Sequence, residues 1–144
     1  MKTISFLVLF NCFSLHCISQ SLEGEWKGSF NTNLDVPIDI TSPIKLYFRL
    51  NKDSSYSVYS YSKGPDHKGK DTTVVCKVSY KKTSENSLYL EETEVLKPAK
   101  ATPSCLQKMY LTIKREKAAT ILEGTWKTGN ECNSSGKIKF IKKD

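Results

Sequence analysis

The hexapeptide pattern Leu-Glu-Gly-x-Trp-Lys occurs twice in the 144-residue chain, near its start and near its end. Each copy places a glycine just before a large aromatic residue, as Gly24 with Trp26 and as Gly124 with Trp126. A glycine lets a neighbouring backbone approach closely beside a large ring. We interpret the two copies as strands that solve one packing problem, and we predict that an early and a late strand of one sheet meet around two buried tryptophans.

Apolar and polar residues alternate with a period of two along most of the remaining chain, and turn residues interrupt the alternation at regular intervals. This pattern predicts β-strands, whereas helical periodicity is nearly absent. The predicted fold is therefore all-β. Its eight strands are expected at residues 23–31, 44–51, 55–62, 72–82, 87–95, 107–116, 119–127 and 136–143.

The sixth and seventh predicted strands offer a check on their own pairing. A two-residue turn at 117–118 would bring apolar positions of the two strands opposite one another on a single face. The opposed pairs would be Met109 with Trp126, Leu111 with Gly124, and Ile113 with Leu122. Because a slip of one residue would send every side chain to the wrong face, this agreement favours the hairpin.

The predicted connections alternate in length. Long connections at 32–43, 63–71, 96–106 and 128–135 alternate with short ones at 52–54, 83–86 and 117–118. In an up-and-down antiparallel meander, alternate connections lie at the same end. We therefore expect an eight-stranded up-and-down barrel with a loop-rich end, where binding residues usually lie, and a plain opposite end.

Residues 1–19 have the parts of an export signal: an early positive charge at Lys2, an apolar run over 4–13, and small residues before a cleavage point. Cleavage before Gln20 would leave one domain at 20–144 in a secreted or periplasmic location. The apolar run is shorter than the roughly 20 residues of a membrane span, so no transmembrane anchor is expected. A lipid-modified Cys17 is the alternative, which His16 disfavours because lipoprotein signals place small residues before the cysteine.

Cysteine positions predict one disulfide. Of the five cysteines, Cys76, Cys105 and Cys132 remain after removal of the signal, and an odd number in an exported protein suggests one bridge and one free thiol. The hairpin register carries Cys105 opposite Asn130, two positions from Cys132. We therefore predict a Cys105–Cys132 disulfide and a buried Cys76 thiol.

Gly24-Glu25-Trp26 on the first strand resembles the Gly-x-Trp signature of the lipocalins and the wider calycin group, which includes avidins and fatty-acid-binding proteins. In that family the tryptophan closes one end of the barrel, and a basic side chain from the last strands packs over it. Trp26 fits the first role. The last strand offers lysines instead of arginine, and the second lipocalin motif, a Thr-Asp pair, is missing. The resemblance implies a barrel frame and names no ligand.

The side chains predicted to point inward are bulky, which favours a mostly filled interior with a shallow pocket at the loop-rich end. They are Trp26, Phe30, Leu46, Phe48, Leu50, Val58, Val74, Val78, Leu88, Leu90, Met109, Leu111, Ile113, Trp126, Ile138 and Phe140. Tyrosine combines a flat apolar face with a hydroxyl, which suits ligand contact. We predict ligand contacts from Phe48, Tyr56, Tyr59, Tyr61 and Met109, although most aromatic residues at this spacing serve as core or cross-strand pairs.

Catalytic and metal chemistry find little support. His67, the one histidine beyond the signal, lies in a Gly-Pro-rich loop and is expected to be solvated, so we predict no metal and no cofactor. The chain has no glycine-rich phosphate loop and no Gly-x-Ser-x-Gly elbow, which argues against an enzyme. For Glu92 we expect contact with solvent at the end of the barrel, because an inward carboxylate beside Cys76 would be unusual.

The formal net charge is +7 at pH 7, and loss of Lys2 with the signal would lower it by one. The lysines are spread along the chain, whereas nucleic-acid binders concentrate charge on one face with interleaved aromatics, so no nucleic-acid partner is expected. Two hypotheses follow. The barrel holds a small apolar or amphipathic ligand at its loop-rich end, or its outer surface and rim loops bind a protein or an acidic glycan.

Overall fold

The alternation of apolar and polar residues becomes eight β-strands in the computed structural model, which describes residues 21–32, 41–65, 68–99, 105–129 and 132–143. The strands are β1 (Gly24–Asn31), β2 (Thr41–Leu50), β3 (Tyr56–Pro65), β4 (Asp71–Ser84), β5 (Ser87–Lys97), β6 (Gln107–Glu116), β7 (Ala119–Thr128) and β8 (Ser135–Lys143). All eight predicted strands are present. The predicted export signal, the cysteine considered for lipid modification and His67 lie outside the described residues.

Each strand pairs with the next in antiparallel fashion, and β8 pairs with β1, so the sheet closes into a barrel. This topology confirms the predicted all-β, eight-stranded, up-and-down architecture. Closure gives each of the eight described strands two neighbours. The backbone edges that an open sheet would present to solvent are therefore paired.

The β6–β7 hairpin has the register predicted from the sequence. Met109 lies opposite Trp126, and Leu111 lies opposite Gly124. Ile113 completes the same face opposite Leu122 and is half-buried. The apolar pattern of two short segments was thus sufficient to fix their pairing.

The two ends of the barrel differ as the connection lengths predicted. Residues 51–55, 85–86 and 117–118 connect strands at one end, which we call the base. The strand ends that flank the longer connections, at 32–40, 66–70, 98–106 and 129–134, lie at the opposite end, which we call the mouth; parts of these connections lie outside the described residues.

Apolar side chains fill the barrel between base and mouth. The buried cluster consists of Trp26, Ile44, Leu46, Phe48, Val58, Val78, Leu88, Leu90, Met109, Leu111, Leu122, Trp126, Ile138 and Phe140. The interior predicted from the sequence is therefore largely correct. Leu50 is an error, since 43% of its surface is exposed. Leu50 is the last residue of β2, at the base. There the alternation of apolar and polar residues continues beyond the end of the packed interior.

Trp26 closes the base. It is 1% exposed, and its Nε1 donates a hydrogen bond to the carbonyl oxygen of Leu22 at 2.9 Å. Lys142 of β8 lies over the indole, with Nζ 5.7 Å from the ring centroid. The same ammonium donates to the carbonyl of Ser21 at 2.9 Å, so the last strand and the segment before β1 cover the ring together. Lysine thus occupies the place of the basic residue that the lipocalin resemblance implied.

Trp126 lies at the mouth, at the far end of the barrel from Trp26. Its Nε1 donates to the carbonyl of Asn31 at 2.8 Å, and its ring meets Phe30 edge to face at 5.0 Å between centroids. Both tryptophans are buried in one core. The early and late strands of the sheet meet as predicted, through the pairing of β1 with β8, and β8 lies between the two strands that carry the tryptophans.

The two glycines of the repeated pattern are needed for different physical reasons. Gly24 has a φ of +110°, a backbone conformation that residues with a side chain rarely adopt, and a Cβ there would meet nothing closer than Lys142 Cε at 3.8 Å. Gly124 is the position of close approach, since a Cβ there would lie 1.9 Å from the carbonyl oxygen of Tyr110. The pattern therefore repeats in sequence without repeating one structural role.

We expect Gly124→Ala to destabilise the barrel by about 2 to 3 kcal/mol, because β6 and β7 must separate to admit the methyl group. Gly129→Ala is the matched control: a Cβ at that position meets nothing within 4 Å. Its effect should stay within about 0.5 kcal/mol. Urea unfolding of the two variants measures both, and equal stabilities would contradict the close approach.

Candidate ligand site at the mouth of the barrel

The backbone ladder between β5 and β6 ends before β5 reaches the mouth. The two strands pair from Ser87 opposite Thr112 as far as Glu91 opposite Lys108. Beyond Glu91, β5 continues along β4 to Lys97 with shifts in register. Towards the mouth, β5 is therefore no longer joined to β6 by backbone hydrogen bonds of the ladder. An interior side chain makes the contact instead.

That side chain is Glu92. It follows Leu88 and Leu90 on the inward face of β5 and is only 5% exposed. Its Oε1 accepts a hydrogen bond from the Ser60 hydroxyl of β3, and its Oε2 accepts one from the backbone N–H of Gln107 at 2.9 Å. The expectation of a solvent-exposed Glu92 was wrong. The carboxylate connects three strands and satisfies a backbone donor that the β5–β6 ladder leaves over.

Burial dominates the electrostatics of this region. Loss of water raises the pKa of Glu92 above its ordinary value, and the hydrogen bonds from Ser60 and Gln107 oppose that shift in part. Burial, together with the nearby Glu92 charge, raises the pKa of the Cys76 thiol to about 11. Cys76 is therefore a protonated thiol at neutral pH and a poor nucleophile.

A pocket of about 260 Å³ opens over Glu92 at the mouth. Phe30, Val74, Ala99 and Trp126 supply apolar walls. The volume lies just below the range for ligand pockets, which begins at about 300 Å³. A small molecule fits here, whereas the filled core below prevents deep burial of a long one.

Polar groups line the inner part of the same pocket. Beside Glu92 and Cys76 lies the side chain of Gln107. Its Oε1 is buried and, among the described residues, is the one buried side-chain oxygen without a hydrogen-bond partner. A buried polar atom without a partner is destabilising by about 1 to 3 kcal/mol. The pocket therefore contains an acceptor that a bound molecule can satisfy.

The Cys105–Cys132 disulfide lines the pocket and confirms the predicted pairing. It joins the residues before β6 to those after β7, with 6.1 Å between the two Cα atoms. Cys76 is the free cysteine of the described residues and is buried, also as predicted. In the chain-entropy account, a bridge over a loop of this size stabilises by about 3 to 4 kcal/mol.

The five residues predicted to contact a ligand do not surround this pocket. Phe48 and Tyr56 meet edge to face near the base, and Tyr56 lines a separate cavity of about 240 Å³ there. Met109 is fully buried in the core. Tyr59 and Tyr61 point outward on β3, and Tyr61 lines a groove on the outer surface. As ligand contacts, all five stay predictions.

Glu92 and Gln107 are the residues that the sequence reasoning missed as a site. Glu92 continues the inward positions of Leu88 and Leu90, so a single acidic residue on an apolar stripe was the available signal. Gln107 had no such signal, because its role depends on where the β5–β6 ladder ends.

The outer surface carries a second concave feature, which we call the basic groove. It spans β1, β8, β7 and β6 with a volume of about 660 Å³. Lys114, Lys137 and Lys139 line it, and Glu123 pairs with Lys114. Serine and threonine occupy most of the other lining positions, and the groove carries more positive than negative charge.

Comparison of the chain with protein-family models, curated proteins and solved structures finds no match in any of the three. The described residues include no group of three or more His, Cys, Asp or Glu side chains placed to hold a metal ion. Within the same residues, no helix is long and apolar enough to cross a membrane.

Replacement of Glu92 by glutamine should change how the free energy of unfolding depends on pH, because the Glu92 carboxyl group is buried. Well below pH 4.5, the ordinary glutamate pKa, the group is neutral in the folded and unfolded chains alike. As pH rises through the raised folded-state pKa, the unfolded chain releases its proton more readily, so the wild type loses stability relative to Glu92→Gln.

The matched control is Glu91→Gln. Hydrogen bonds from Tyr89 and Lys108 lower the pKa of Glu91, so its stabilising effect is present above pH 4.5 and is lost as pH falls. Urea unfolding across the acid-to-neutral range should therefore show that the stability difference from the wild type changes with pH in opposite directions for the two variants. A difference between wild type and Glu92→Gln that does not change with pH would contradict the raised pKa.

Proposed function

We propose that the protein is a non-enzymatic, lipocalin-like binding protein, exported through the signal at 1–19, that holds a small amphipathic ligand in the mouth pocket. The observation that carries the proposal is the combination of apolar walls with a polar inner surface. Phe30 and Trp126 offer rings to the ligand body, and Glu92 and Gln107 offer acceptors to its polar end.

The frame around the pocket favours a site that is formed before the ligand arrives. Phe30 lies on β1 and Trp126 on β7, both in a closed sheet, and the Cys105–Cys132 bridge fixes the neighbouring chain segments. Because these groups need little reorganisation, little conformational entropy is lost on binding. The disulfide also agrees with an oxidising compartment, as export predicts.

The two tryptophans allow the site to be located by fluorescence, because Trp126 lines the mouth pocket and Trp26 lies at the base. The probe is 4-nitrobenzyl alcohol, a small amphipathic molecule whose nitro group quenches indole emission. In Trp26→Phe, where Trp126 is the reporter, we expect saturable quenching. In Trp126→Phe, where Trp26 is the reporter, we expect only the weak linear quenching of random collision.

Circular dichroism confirms that both variants are folded before titration. Saturable quenching confined to the Trp26 reporter would move the site to the base cavity and overturn the proposal. A native mass measurement on protein purified from its own host adds a second test. A co-purifying small adduct supports the proposal, and its loss in Phe30→Ala would place that adduct at the mouth.

A second candidate function rests on the basic groove. Lys137 and Lys139 lie on the outer face of β8, and neither forms an ion pair within 4 Å among the described residues, whereas Lys114 is paired with Glu123. A row of lysines in a concave surface favours a polyanion such as an acidic glycan. This function uses the outside of the barrel and is compatible with a filled interior.

Retention on heparin resin tests the groove. We expect Lys137→Glu with Lys139→Glu to elute at clearly lower salt than the wild type, since two favourable contacts become repulsive. The control, Lys81→Glu with Lys117→Glu, makes the same charge change at exposed positions near the base. Equal losses in the two double variants would mean that total charge alone sets the retention, and would exclude the groove as a specific site.

A further inference from the structure

Glu92 has more hydrogen-bonding capacity than the protein uses. An ionised carboxylate offers about four lone-pair positions, and two are taken, by Ser60 and by the N–H of Gln107. The residue also lines the mouth pocket, so a molecule bound there would lie beside its carboxyl group.

A purely structural role accounts for Glu92 but leaves Gln107 unexplained. A carboxylate that holds β5 to β3 and β6 needs only the backbone N–H of Gln107. The side-chain Oε1 of Gln107 nevertheless lies buried beside the pocket without a partner. Both residues line the same small pocket, and among the described residues the amide oxygen has no hydrogen-bond donor.

The charge of the surroundings also selects a ligand. The Cys76 thiol is neutral at neutral pH, so Glu92 is the acidic group at the inner end of the pocket. Lys63 also lines the pocket, but its residue is exposed to solvent, which places its ammonium where water screens it. A buried carboxylate without a cation is unfavourable, and a cationic partner removes much of that penalty.

We propose that the mouth pocket recognises a small amine, with its ammonium group donating to the Glu92 carboxylate and the Gln107 amide oxygen, and its apolar body packed against the wall that Phe30 and Trp126 form. This inference rests on the proposed function and specifies its ligand class. An ammonium has three donors and no acceptor, which matches a pocket lined by two acceptor groups, the Glu92 carboxylate and the Gln107 amide oxygen. Aromatic walls add attraction for a cation as well as for an apolar body.

Three probes with one phenyl ring and different head groups test the proposal on the full mature chain at neutral pH. They are phenethylamine, 2-phenylethanol and 3-phenylpropionate, and isothermal titration calorimetry measures their affinities. We expect the amine to bind about tenfold more tightly than the alcohol, because its ammonium forms an ion pair with the carboxylate whereas the hydroxyl is neutral. The carboxylate probe should bind most weakly.

Variants separate the two acceptors. Glu92→Gln keeps an amide that can bond both Ser60 and the N–H of Gln107, and should lower amine affinity to that of the alcohol while leaving the alcohol within about twofold. Gln107→Met removes the amide oxygen and should weaken both probes, because both donate to it. Glu94→Gln, at an exposed position of the same strand, is the charge-matched control and should change neither affinity.

The outcomes distinguish this inference from the proposed function. Equal affinity for amine and alcohol, or unchanged amine affinity in Glu92→Gln, would overturn the inference that the ligand is an amine. The proposal that the mouth pocket binds a small ligand would still stand. Tightest binding by 3-phenylpropionate would overturn the amine inference too, since Lys63 would then decide selectivity. Absence of binding by all three probes, together with failure of the tryptophan titration, overturns the proposed function itself. Should Glu92→Gln fail to fold, the probe comparison on wild type and Gln107→Met still decides.

Discussion

Pairing of β8 with β1 is the contact on which the rest of the molecule depends. It runs from Lys27 opposite Ile141 to Phe30 opposite Ile138, and it joins the two strands that are farthest apart in the chain. Glycine makes the approach possible: a Cβ at Gly28 would lie 2.1 Å from the carbonyl oxygen of Lys139. Once these strands meet, Lys142 reaches Trp26 at the base, and Trp126 reaches the carbonyl of Asn31 at the mouth. The contacts of both tryptophans, one at each end of the barrel, therefore depend on the pairing of β8 with β1.

Glu92 shows how a local failure of the sheet becomes a chemical feature. Where the β5–β6 ladder ends, a backbone donor at Gln107 loses its ladder partner, and an interior carboxylate replaces it. Burial of that carboxylate is unfavourable, as the upward shift of its pKa indicates. A leucine would continue the apolar stripe of β5 but would leave the N–H of Gln107 unsatisfied. The arrangement satisfies the backbone and at the same time equips the pocket with an acidic group.

Much of the frame could be predicted because its determinants are local or pairwise. Alternation gave the strands, the apolar faces of β6 and β7 gave their register, and that register brought Cys105 near Cys132. The same reasoning failed for Leu50 and for Glu92. The position of a residue in the alternation of a strand predicts which face of the sheet it occupies. It does not predict whether the packed interior extends to that height in the barrel, or which strands lie opposite.

The sequence by itself determined the eight strands, their order, the contrast between short and long connections, and the disulfide, since each depends on spacing along the chain. Tertiary structure alone decided that Trp26 and Trp126 occupy opposite ends, and that Glu92, Ser60 and Gln107 converge below the mouth pocket. The physical reason is the closing of the sheet. Strand stagger in a barrel sets the height at which distant residues face one another, and no period within a single strand encodes that height.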